Sequence, residues 1–237
     1  MFKLLCFFLL VLLNFTVKAE GITFNPVQLY MSEKTKQRST TVTIESTGLD
    51  KAKIYELSAV KWSQNEKSED VLEEDSNILF NPKTFELKPD GKQLIRVGFS
   101  QPVSNMDLRA EKTWRILFKE MTPMSKDESV NVLFNFSLPL FVGKQEKTNL
   151  NVGLNYINNE LEINVVNLAK SHVKIVDVIV LDQENKELVK KDVNKYLLDG
   201  KATNIQLGAI DIKNKNNLKI KIKTDKDQDY QEYKVGV

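Results

Sequence analysis

Thiol chemistry is almost missing from this chain. Its single cysteine, Cys6, lies in an apolar run near the N-terminus that reads as a removable leader, so the remainder carries none. A disulfide framework, a zinc-thiolate site and a cysteine nucleophile are thereby excluded. Histidine is as scarce. The only one, His172, sits between Ser171 and Val173 at a strand start, without the neighbours that acid-base work or metal ligation requires; it reads as a surface or turn residue. No glycine-rich phosphate loop, nucleophile elbow or H-E-x-x-H pattern occurs. Carboxylates are plentiful, but none forms a pair placed by its context, as a glycosidase-like site would need. The expectation is a protein that is not an enzyme and uses no cofactor and no metal.

Long apolar runs are missing too. The longest, Leu4 to Leu13, has ten residues, far short of the roughly twenty that span a bilayer as a helix. With Lys3 before it and Val17-Lys18-Ala19 after it, residues 1–19 read as a secretory signal peptide, which implies export to the periplasm. Cys6 lacks the small-residue setting of a lipoprotein cleavage site, so no lipid anchor is expected. The whole chain has 34 basic and 32 acidic residues; losing Lys3 and Lys18 leaves 32 of each. That balance gives no electrostatic footprint for nucleic acid or an anionic membrane. Removing 19 of 237 residues leaves 218, enough for two β-domains of about 100 residues each.

What is present is alternation. Ile22 to Met31 reads as an opening strand in which Pro26 forces an edge or a switch between sheets. Ser39 to Glu45 and Ile54 to Trp62 follow as strands, with Trp62 in the core, and Lys61 to Asp75 reads as a solvated acidic loop. Short apolar runs at Ile78–Phe80 and Phe85–Leu87 precede the turn Lys88-Pro89-Asp90-Gly91, and Gln93 to Phe99 and Thr113 to Glu120 are further strands. Arg115 lies inside the last of these among bulky apolar residues and calls for a carboxylate partner, with Glu86, Glu120 and Asp75 as candidates. Gly143 to Thr148 is a polar connector, after which no Trp, Phe, Met or Pro occurs. Seven short alternating segments beyond it, from Leu150–Tyr156 to Tyr230–Val235, suggest a second sandwich, with the Lys/Asn runs 213–217 and 221–229 as solvated turns. No long 3.6-residue apolar period appears. The fold class is all-β, two sandwich domains, divided as 20–143 and 144–237.

The segment Val130 to Val142 (VNVLFNFSLPLFV) stands apart. Every even position is apolar, so one face is continuously hydrophobic, and thirteen residues exceed the usual strand of about five or six. It is either a core strand or a strand whose apolar face extends beyond its own core and is lent to a partner.

Taken in order, ITFNPVQLYM, STTVTIESTG, YELSAVKW, ILFNPKTFELKPDGKQLIRVGF, WRILFKEMTP and VNVLFNFSLPLFV resemble the periplasmic chaperones of the chaperone-usher pathway, and the SLPLFV ending resembles the divergent archaic, spore-coat-like branch. The resemblance covers residues 22–142. It implies two immunoglobulin-like domains in a boomerang, with the last strand of the first completing a pilus subunit that lacks a strand of its own. The partners implied are pilus subunits and an outer-membrane usher; self-association of the free protein through exposed strands is left open. Strand addition caps an edge by main-chain hydrogen bonds and fills a groove with alternate side chains. The implied donated face is Val130, Val132, Phe134 and Phe136, continued by Leu138, with Val27 and Leu29 of the opening strand flanking the cleft. Burying five such side chains would contribute on the order of 8 to 15 kcal/mol before ordering costs. Where many members of that family place an arginine and a lysine to anchor the subunit's terminal carboxylate, this chain has Gln28 and Pro139. The rival expectation is a secreted two-domain immunoglobulin-like adhesion or carbohydrate-binding protein, with Val130 to Val142 buried wholly within its own sandwich.

Overall fold

The computed structural model describes residues 20–34, 36–121, 132–157, 160–209 and 218–235. The expected signal peptide, Val130 and the Lys/Asn run 213–217 lie outside them.

Strand β1 (Gly21–Asn25) and strand β2 (Leu29–Met31) divide the opening segment between two sheets, as Pro26 suggested. β1 joins β3 (Ser39–Thr47), β8 (Lys92–Phe99) and β6 (Ile78–Asn81) in the order β1-β3-β8-β6. β2 joins β10 (Phe136–Val142), β9 (Lys112–Met121), β4 (Lys53–Gln64) and β5 (Asp70–Glu74) in the facing sheet, where β7 (Thr84–Leu87) also pairs with β4. Proline fixes φ and offers no N–H to a ladder, so a chain that must leave one sheet for another does so there at little cost.

Alternation builds the core between these sheets. β3 turns Val42 and Ile44 inward, β4 Tyr55, Leu57 and Ala59, and β9 Trp114, Ile116 and Phe118. Each such side chain contributes about 1.5 to 3 kcal/mol through burial. The acidic stretch read as a solvated loop is instead partly strand: β5 pairs Asp70–Glu74 with Val60–Gln64. Three of its five side chains are acidic, which an edge strand tolerates because main-chain pairing does not require apolar residues there.

The second sandwich sets β11 (Leu150–Ile157), β12 (Glu160–Asn167) and β15 (Ala202–Ala209) against β14 (Glu187–Leu197), β13 (Val173–Leu181), β16 (Leu218–Thr224) and β17 (Gln231–Val235). Here the pattern is at its plainest: β16, LKIKIKT, buries Leu218, Ile220 and Ile222 while its lysines point outward. The all-β, two-sandwich reading holds, and among the described residues the only helix is a single 3-10 turn at Val103–Asn105.

Candidate functional site

β10 is the last strand of the first sandwich, and its two ends live in different surroundings. At its C-terminal end Leu140–Val142 has a strand on each side, β9 antiparallel and β2 parallel. Gly143 then turns the chain away at φ +128°, a conformation that side-chain-bearing residues rarely adopt. Leu138, Leu140 and Val142 face the first core. Phe141 faces the opposite way, into a second cluster with Trp62, Tyr196 and Leu198 that joins the two sandwiches.

His172 completes that junction. Its ring stacks on Phe141 with centroids 3.4 Å apart and planes within 8°, and Tyr30 lies 6.0 Å away. The Glu111 carboxylate is 2.8 Å from Nδ1 and also accepts the His172 backbone N–H at 2.8 Å, while Asp225 is 3.7 Å from Nε2. Of the surface-or-turn reading of His172, the surface half is wrong: the residue lies just before β13 but is fully buried. Its cover comes from the other sandwich, so no local pattern around Ser171-His172-Val173 could reveal it. Burial alone would raise the Asp225 carboxyl, but His172 and the Lys174 backbone N–H outweigh it and hold the group below its ordinary value.

Side chains that imitate backbone lace the same junction. The Gln64 amide donates to the Tyr196 carbonyl at 3.0 Å and accepts the Leu198 N–H at 3.0 Å. Gln28 donates to the Tyr196 hydroxyl at 2.6 Å and accepts from Tyr30 at 2.7 Å. Arg115 lies with its guanidinium 3.7 Å from the Trp62 ring centroid, and among the described residues its one carboxylate neighbour is Asp70 at 4.0 Å. None of the three expected acids takes that role. Glu120 is held by Lys53 at 3.1 Å, Asp75 accepts the Trp114 indole N–H at 2.9 Å, and Glu86 has no ion pair with Arg115. An indole face adjacent in the sheet stabilises the cation where a buried carboxylate was expected.

At the N-terminal end β10 is half open. Phe136–Pro139 pairs with β9 on one side, and among the described residues no strand covers the other. Before it, residues 132–135 are not in a strand at all, so the expected thirteen-residue strand has seven. Val132 is 70% exposed and Phe134 49%. Phe136 is half-buried against Phe24 and Tyr55. With Phe134, Ile22, Leu49 and Lys53 it lines a cleft of about 210 Å³ between the sheets. Pro139 stands opposite Arg115 in the ladder. Phe134, an odd number of residues away, aims its N–H at β9; by the alternation of an antiparallel pair Pro139 then faces its missing donor toward the open edge, where proline is tolerated.

The implied site residues therefore separate. Val132 and Phe134 are exposed, Phe136 is partly buried against the first core, and Val27 is exposed (66%) in the bend between β1 and β2. Leu29 and Leu138 are not available: both are buried in this chain's own core, because β2 and the C-terminal half of β10 are needed to close the first sandwich. Val130 lies outside the described residues.

Such an arrangement, two sandwiches with a half-uncovered final strand in the first, defines a class by its fold. No family model matches the sequence, and no curated protein matches it. Solved structures do. A chain of the CsuC–CsuE chaperone–tip adhesion subunit pre-assembly complex, from the archaic chaperone-usher Csu pili of Acinetobacter baumannii, aligns with a TM-score of 0.63 at 16% identity over 91% of this chain and 98% of that one. The E. coli chaperone DraB aligns at 0.57 and 12% identity, over 92% and 97%. A chain of the Salmonella enterica SafA pilin–SafB chaperone complex aligns at 0.58 and 12% identity, over 94% and 99%. The fold is that of the two-domain pilus chaperones.

Proposed function

We propose that this protein is a periplasmic, non-enzymatic chaperone that holds pilus subunits by strand donation from the segment entering β10 and hands them to an outer-membrane usher. Residues 1–19 serve as its signal peptide, and 20–143 and 144–237 as its two domains. The observation that carries the reading is the open edge of Phe136–Pro139, continued by the exposed apolar side chains of Val132 and Phe134 on a chaperone fold. A partner strand laid on that edge satisfies its main-chain groups, while alternate side chains enter the partner's groove. Each of Val132 and Phe134 would contribute about 1.5 to 3 kcal/mol on full burial. A rival adhesion protein would bury this whole segment within itself, and the exposure of Val132 and Phe134 speaks against that.

The test is co-expression of the chain with a pilus subunit. Val132→Glu combined with Phe134→Glu is the variant of choice, because Phe136 also supports this chain's own core. Loss of the soluble complex from a folded variant is the expected result. A complex that survives both charges places subunit binding elsewhere.

A further inference from the structure

The β9–β10 ladder stops at Phe136↔Phe118. Carried two residues further, its register sets Phe134 opposite Glu120, and nothing apolar prevents that pairing. Two side chains occupy the hydrogen bonds the pairing would use. The Phe134 N–H donates to Oε2 of Glu120 at 2.9 Å, and the Glu120 N–H donates to Oδ1 of Asn135 at 3.1 Å. In a continued antiparallel ladder these same two N–H groups would go to main-chain carbonyls. Glu120 is fixed in turn by Lys53, at 3.1 and 3.3 Å, with side chains only 9% and 11% exposed. The Lys53 ammonium also lies 4.9 Å from the Phe134 ring centroid. A buried ion pair is weak as a source of stability, yet this one sits at the point where the strand ends.

We propose that Asn135 and the Lys53-held Glu120 form a register stop. It keeps Val132–Asn135 out of β10 in the free protein and yields when a partner strand arrives. This rests on the reading of the β10 edge as the docking strand. The device answers a specific hazard: a β10 extended through Val132 would present a longer apolar edge, the kind on which copies of a chain pair with one another. Held by side chains, the segment offers no regular edge until an incoming strand supplies enough main-chain bonds to displace two acceptors.

Asn135→Ala tests this in the free, mature protein, since Asn135 is exposed and its loss leaves the core intact. Without its acceptor the Glu120 N–H turns to the Phe134 carbonyl and the ladder extends. Two readouts follow. In NMR spectra a close Hα–Hα contact between position 135 and Lys119, that of a non-hydrogen-bonded antiparallel pair, is expected in the variant and not in the wild type. In sedimentation the variant self-associates at a concentration about tenfold lower, the effect of one hydrogen bond of ordinary strength. If Asn135→Ala changes neither readout, there is no stop. If both change but the wild type captures no subunit, the stop stands and the chaperone reading fails.

Discussion

The two ends of the final strand of the first sandwich share a sequence pattern and have opposite fates. Leu138, Leu140 and Val142 are core, and Phe141 on their reverse face anchors the second sandwich. Val132, Phe134 and Phe136 continue the same apolar alternation, but the first two are exposed and the third half-buried. The difference is the neighbour. β2 covers the strand from Leu140 onward, and Pro26 has sent β1, which could have covered the rest, into the other sheet. An apolar face thus marks burial, while the topology decides whether this chain or another provides it.

Four variants, one of them with a rescue substitution, probe this contrast in falling order of their effect on folding. Phe141→Ala opens a cavity where the sandwiches meet and should cost about 3 to 5 kcal/mol, read by denaturant unfolding. A loss below about 1 kcal/mol would mean that the junction contributes little. Glu111→Ala strips the His172 backbone N–H and Nδ1 of their carboxylate and should cost about 1 to 3 kcal/mol; His172→Phe made alongside it should recover part of that loss.

Asp225 gives a smaller effect, whose dependence on pH lies in acid. A carboxyl depressed in the folded state contributes stability above its unfolded pKa, about 3.9 for aspartate. That contribution is lost as pH falls through the lower folded value. Asp225→Asn should therefore flatten this part of the acid unfolding curve and leave its shape near neutrality unchanged. Val132→Glu with Phe134→Glu comes last: on exposed side chains each change should stay within about 0.5 kcal/mol, although together they should abolish subunit capture. A large destabilisation there would show that the two ends of the strand are not distinct after all.

Much of the scaffold was legible because alternation is a local property. The seven strands described in the second sandwich were readable in outline, and Pro26 marked the sheet switch. The junction was not. His172, Arg115 and Gln64 look like ordinary polar residues in sequence, and their roles depend on groups from segments far along the chain: the Phe141 and Glu111 side chains for His172, the Tyr196 carbonyl and the Leu198 N–H for Gln64. The candidate edge was half legible. The apolar face from Val132 to Phe136 could be read from its period, but the place where the strand stops is set by Glu120 and Asn135 acting as acceptors, and no periodicity encodes that. Leu29 and Leu138 were misplaced for a related reason: alternation says that a residue is buried, not by which chain.

Backbone amide hydrogen exchange with and without a bound subunit tests the central claim most directly. Residues 140–142 should exchange slowly in both states, since strands already flank them. Amides from Val132 to Leu138 that face the open edge should change from fast to slow on binding. Protection appearing only in loops of the second sandwich, with 132–138 unchanged, would contradict strand donation from this edge.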